Sequence, residues 1–155
     1  MLDVILFVIA MTLGGDAEPQ AEAAPAATGF TAEDQAPTGK FLTATEVRPI
    51  LGATRASWVA VREYDGADLL YLTHLLAWRC GLHQIEYAVN GGALEVWPMP
   101  DCHVATAAPG ALLPEDGLPY IRRPLGSVET VTIRLLYDDL GVEEATFDRA
   151  GIQIN

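Results

Sequence analysis

"CGLHQIEYAVNGGALEVWPMPDCH", residues 80–103, decides the fold. Ile85, Tyr87 and Val89 alternate with Gln84 and Glu86, which is the two-residue period of a half-buried strand. Asn90-Gly91-Gly92 supplies turn chemistry, because Asn and Gly tolerate the positive φ of a tight hairpin turn. Leu94 and Val96 then resume the alternation, so residues 83–97 read as a β-hairpin.

Cys80 and Cys102 stand equally far from Gly91. Positions equidistant from a turn face one another, which brings both thiols to the open end of the hairpin. A disulfide needs Cα atoms about 4.4–6.8 Å apart, and opposed positions supply that. Matching apolar faces instead sets Val89 opposite Leu94 and Tyr87 opposite Val96, and this slides Cys80 across from His103. Pro98 and Pro100 interrupt the ladder and can absorb the shift in a bulge. The expectation is a Cys80–Cys102 disulfide. The competing reading is a metal-binding protein or metal-dependent enzyme using His74, Cys80, His83, Cys102 and His103, whose side chains zinc accepts. Its weak point is that adjacent Cys102 and His103 point to opposite faces of extended chain.

Compartment separates these readings, since disulfides persist where the surroundings are oxidising. Residues 4–13, VILFVIAMTL, form an apolar run too short to span a bilayer and suited to a signal-peptide core. Gly15-Asp16-Ala17 and Ala21-Glu22-Ala23 both offer small residues where a signal peptidase cuts. Asp3 precedes the run and no Lys or Arg does, the first basic residue being Lys40, which departs from the usual pattern. The alternative is a strand of the mature domain. Residues 1–17 are read as signal-peptide-like, with cleavage near 17 or 23. Residues 18–38, rich in Ala, Pro and Glu, bury too little to offset ordering entropy and read as a flexible tether. A single domain follows over 39–155. An extracytoplasmic location, periplasmic or secreted, is expected, with no stable membrane insertion after cleavage.

The chain of 155 residues carries a net charge of −12, so phosphate backbones are repelled and nucleic acid is not an expected partner. Half the residues are apolar, which is globular composition.

Working outward, Val47, Ile50, Leu51, Thr54 and Trp58 share one helical face over residues 43–58. Thr43 and Glu46 have capping-box spacing, but Pro49 would then lie deep in the helix, which favours a start at Thr45. WVAVREY (58–64) and LLYLTHLLAW (69–78) flank DGAD as a second hairpin. The latter segment, bounded by Asp68 and Gly81, also fits a Leu-rich helix; its Tyr, Thr and Trp favour strand. Near the C-terminus, Val131, Ile133, Leu135 and Tyr137 alternate before a turn at 138–141 and a returning strand to about Asp148. The fold class is α+β: one N-terminal helix packed on a mainly antiparallel sheet built from hairpins, with a long Pro-rich loop.

That loop, residues 98–126, holds six prolines and little periodicity. Unstructured loops of this length in compact domains are commonly functional, so the contact surface is expected there. Trp97 at its entry is expected to be partly exposed. Tyr120, Arg122 and Arg123 are candidate contacts, because paired arginines can grip a carboxylate or phosphate. The plainer reading pairs those arginines with Glu115 and Asp116. His74 and the tryptophans read best as core residues. Asp65, Asp68, Asp138 and Asp139 lack the spacing of a calcium loop and read as turn residues. There is no Walker loop, G-x-S-x-G or H-E-x-x-H. The reading that results is an exported, non-catalytic binding protein of the cell envelope, with no cofactor and an unknown protein or small-molecule partner. A structural envelope component is the third alternative.

Overall fold

The structure, a computed structural model, describes residues 29–155. The signal-peptide-like segment and residues 18–28 of the tether lie outside the described residues. The fold is α+β, with the strands divided between two four-stranded sheets that share one core.

Helix α1 (Ala44–Ala53) opens the domain. Thr43 caps it, its hydroxyl accepting from the Glu46 amide at 3.3 Å and donating to the Glu46 carboxylate at 2.9 Å. The helix therefore starts one residue before the expected Thr45, and Pro49 sits inside it. Thr45, whose carbonyl the missing Pro49 N–H would have satisfied, is exposed to water. Val47 and Leu51 are fully buried on the expected face, while Trp58 reaches the core from beyond a short 3-10 turn, Arg55–Ser57.

Strands β1 (Ala60–Tyr64) and β2 (Ala67–Tyr71) form the first hairpin, with Asp65 and Gly66 at φ of 51° and 71°. Two consecutive positive φ values make the primed turn that matches strand twist. The segment read as strand over 69–78 changes character midway. β2 ends at Tyr71, and Thr73–Ala77 forms a short helix, α2. The cause is visible in the burial: Leu72, Leu75 and Leu76 are buried at helical spacing, which an extended chain cannot achieve.

β3 (Leu82–Val89) and β4 (Glu95–Val96) are the arms of the hairpin that opened the sequence reading. Strand β5 (Tyr120–Pro124) pairs with β2, and β6 (Thr130–Tyr137) and β7 (Val142–Asp148) form the C-terminal hairpin. After a turn of helix, α3 (Arg149–Ile152), strand β8 (Gln153–Ile154) lies parallel to β1. The sheet orders are β5-β2-β1-β8 and β4-β3-β6-β7. Val61 and Leu70 from the first sheet meet Ile85, Val131, Ile133, Leu135 and Tyr137 from the second in one cluster that α1 and α2 help to close. Each such aliphatic contributes about 1.5–3 kcal/mol through burial, offset by chain entropy.

The last part of the stretch read as a tether packs on this domain. Glu33 N–H donates to the Asp138 carbonyl at 2.8 Å, and Gln35 Nε2 donates to the Asp138 carboxylate at 2.8 Å. The same carboxylate accepts from the Ala44 amide at 2.7 Å, so Asp138 links this arm to the start of α1. These contacts are polar, which is why hydropathy gave no sign of them.

Candidate functional site

The site begins at the hairpin mouth. Cys80 and Cys102 are bonded, with Cα atoms 5.2 Å apart. The turn closes with Gly92 N–H donating to Val89 O at 3.0 Å, and the ladder resumes with Tyr87 opposite Glu95 and Glu86 opposite Val96. One extra residue on the returning side accommodates the change of register. The apolar-face register is thus replaced by the one centred on Gly91.

Trp97 explains that choice. It is 2% exposed, its N–H donates to Ile85 O at 2.8 Å, and its ring meets Tyr87 edge-on at 5.4 Å. The expected exposure is corrected: placing Val96 outward turns the larger indole into the core, which buries more apolar surface. Trp97 is not a free contact residue.

The disulfide clips the Pro-rich segment to the domain, and Arg79 sets the segment's shape. Arg79 is 1% exposed and lies in a 3-10 turn (Arg79–Gly81) between α2 and β3. Its guanidinium donates to the carbonyls of Leu76, Pro100, Asp101, Gly110 and Ala111. Burial lowers its pKa, while the Asp116 and Asp101 carboxylates pull the other way. A planar fork with five donors suits this bundle of carbonyls as a Lys ammonium does not. Gly110 is required beside it, because a Cβ there would meet Ala77 O at 2.1 Å.

Asp116 completes the clamp. It accepts from the Leu113 amide at 2.7 Å, which is the main cause of its lowered pKa, and from His103 Nε2 at 2.8 Å. It lies 3.7 Å from Arg79 Nη2. The plainer reading of the sequence, which gave Asp116 to Arg122 or Arg123, is therefore corrected.

Residues 98–126 are not structureless throughout. β5 runs antiparallel to β2, pairing Tyr120 with Tyr71 and Arg122 with Leu69. Side chains alternate along a strand, so Tyr120 and Arg122 share one face and Arg123 takes the other. The two arginines accordingly form no common grip. Arg123 Nη2 contacts Glu95 at 3.4 Å, and Arg122 Nη2 donates to the Asp65 carbonyl at 3.3 Å. Tyr120 and Tyr71 stack obliquely with ring centres 5.0 Å apart.

The five residues of the metal reading do not come together. The cysteines are bonded to one another, His74 Nε2 lies 2.8 Å from Thr54 Oγ1, and His83 Nε2 lies 2.8 Å from Thr31 O. Phe30 stacks on His83 at 4.9 Å. Among the described residues no three His, Cys, Asp or Glu side chains are placed to hold a metal ion. Because the Thr54 hydroxyl donates to Ile50 O, His74 Nε2 is the donor to Thr54, and burial lowers the His74 pKa.

Two open grooves flank the clipped segment. One, about 410 Å³, lies over the disulfide and is walled by Phe30, His83 and Met99. The other, about 390 Å³, lies between Phe41, Trp78 and residues 107–111. Loop residues Val104 and Leu118 are exposed.

Sequence reasoning missed Arg79 and a second buried ion pair. Asp68, read as a turn residue, is fully buried on β2 and accepts from the Gly126 and Val128 amides. Arg149 Nη1 donates to it at 2.6 Å and holds its carboxyl well below the usual range. This pair fixes the exit of the Pro-rich segment, as Arg79 fixes its interior. A lone Arg followed by a Cys at the end of a Leu-rich run was the only signal available for Arg79.

No protein-family model matches this chain, and no curated protein or solved structure is significantly similar to it.

Proposed function

We propose that this chain is an exported, non-catalytic binding domain of the cell envelope, contacting a protein or small molecule through residues 98–126. The observation that carries this reading is the double tether of that segment: the Cys80–Cys102 bond at its entry and the Asp68–Arg149 pair at its exit. A segment held at both ends and braced by Arg79 presents its side chains with little ordering entropy left to lose on binding. The disulfide belongs to an oxidising compartment, and no helix among the described residues is long and apolar enough to cross a membrane. The apolar run at 4–13 supports delivery to that compartment.

Affinity capture from an envelope fraction tests the reading. The wild-type domain retains a partner that Tyr120→Ala/Arg122→Ala or exchange of residues 103–109 for Gly and Ser releases. The same partners on every variant would remove the segment from the interaction. Self-assembly through sheet edges is the less favoured role: β7 forms an edge of its sheet but carries Glu143, Glu144 and Asp148, a charge pattern that opposes strand addition by a second copy. A monomer at every concentration in sedimentation is the expected result.

A further inference from the structure

The β5-β2-β1-β8 sheet turns one face to the core, through Val61, Leu70 and Ile121. Its other face is set by the same register. Tyr71 stands opposite Tyr120, Leu69 opposite both Arg122 and Arg62, Ala67 opposite Tyr64, and Ile154 opposite Arg62. Directly paired residues project to the same side, so Arg62, Tyr64, Tyr71, Tyr120, Arg122 and Ile154 form one surface. Tyr64, Arg122 and Ile154 are exposed. Of the residues at its centre, Ala67 and Leu69 are buried and Pro124 is exposed.

This surface is electrostatically opposite to the rest of the chain. The whole sequence has net charge −12, yet among the described residues no Asp or Glu occupies a strand position on this face. Glu63 and Asp68 project to the other side and engage Arg149. Neither Arg62 nor Arg122 forms an ion pair among the described residues. Arg62 instead lies over the Tyr64 ring at 4.6 Å, and Arg122 reaches a backbone carbonyl. Both guanidinium groups keep N–H donors free for an incoming acceptor.

We infer that this face docks an acidic polypeptide segment, with carboxylates on Arg62 and Arg122 and apolar side chains against Tyr64, Ile154 and the half-buried Tyr71–Tyr120 pair. The inference rests on the binding-domain reading and names the partner's chemistry. The two arginines flank β2, so their Cα atoms are two strand spacings apart, about 10 Å. Carboxylates interspersed with apolar groups at that spacing complement the surface. Tyr and Arg are also the residue types that dominate protein interfaces. A continuous polyanion would have to approach the acidic remainder of the chain, which disfavours nucleic acid and polyuronate.

The test uses the oxidised full chain, isotope-labelled for amide spectra, with poly(Glu,Tyr) as probe and poly(Lys,Tyr), single-stranded DNA and polygalacturonate as comparators. Poly(Glu,Tyr) is expected to shift the amides of Arg62, Tyr71, Tyr120 and Arg122, more weakly as salt rises. R62Q/R122Q, checked for folding by its own spectrum, is expected to lose roughly tenfold in affinity. R134Q, which removes a charge from the outer face of the other sheet, is expected to bind as wild type. Equal binding by R62Q/R122Q, or a preference for DNA or polygalacturonate at this face, overturns the inference. Shifts confined to residues 98–113 overturn it while leaving the binding-domain reading intact. No shifts from any probe, together with no partner captured through residues 98–126, remove both.

Discussion

Cys80 and Cys102 face one another in the register that also sets Tyr87 opposite Glu95 and Glu86 opposite Val96, each pair centred on Gly91. The bond is thus an extension of a ladder that the hairpin already defines. It adds a covalent closure where Pro98 and Pro100 can no longer donate ladder hydrogen bonds.

Removing it acts mainly on the unfolded chain. For a closed loop with sequence separation 22, the chain-entropy relation gives about 3 kcal/mol at room temperature. Cys80→Ala/Cys102→Ala is expected to lower stability by that amount in urea titrations while the folded amide spectrum outside residues 98–119 is retained. A loss below about 0.5 kcal/mol would mean that Arg79 alone secures the segment.

Arg79→Met keeps the volume but leaves the carbonyls of Pro100, Asp101, Gly110 and Ala111 without their donor and Asp116 without its buried cation. A loss of about 3–5 kcal/mol is expected, together with rapid proteolytic cutting within residues 98–113. Arg79→Lys should restore little, because one ammonium cannot span those acceptors. Full rescue by Lys would contradict the role assigned to the planar fork.

Acid should weaken the fold in two stages. His74 has a folded pKa below its ordinary 6.5, so it folds preferentially neutral; its contribution is complete above that value and declines as pH falls below it. Glu46 is lowered from 4.5 to about 2, first by the Thr38 hydroxyl. Its contribution is present above about pH 4.5 and disappears as pH falls towards 2. His74→Gln is expected to flatten the stability curve in the upper window and Glu46→Gln in the lower one, read by denaturation midpoints across pH. Unchanged curves in both variants would remove these groups as the acid-sensitive sites.

The tryptophans separate by burial. Trp58 and Trp97 are sealed, while Trp78 borders an open groove. Acrylamide should quench only the emission lost in Trp78→Phe, and Trp97→Ala should cost about 3–5 kcal/mol. Ready quenching of Trp97 would contradict its place in the core.

Local chemistry made the hairpins legible: Asn90-Gly91 and Asp65-Gly66 both take the positive φ values their composition allows, and the alternation of Val131, Ile133, Leu135 and Tyr137 is fully buried as read. Four features were hidden for a physical reason. The helix at Thr73–Ala77 and the strand before it are both Leu-rich and buried, so hydropathy alone could not divide them. Strand β5 lies at a sheet edge with only Ile121 packed on the core, leaving no period of apolar residues to read. Arg79 and Arg149 act through contacts remote in sequence, with backbone carbonyls and with Asp68, and such partners are set by tertiary packing. The disulfide was legible because it is a hairpin contact. The Tyr/Arg face was not, because it assembles from four strands that only the topology brings together.

Intact mass spectrometry of the unreduced protein from its native host, treated with an alkylating reagent before unfolding and again after it, tests the central claim most directly. The account predicts a chain shortened near Ala17 or Ala23, two hydrogens lighter than the reduced form and inert to the reagent both times. A chain that retains residues 4–13 and takes up two alkyl groups would contradict the export, the bridge and the role proposed from them.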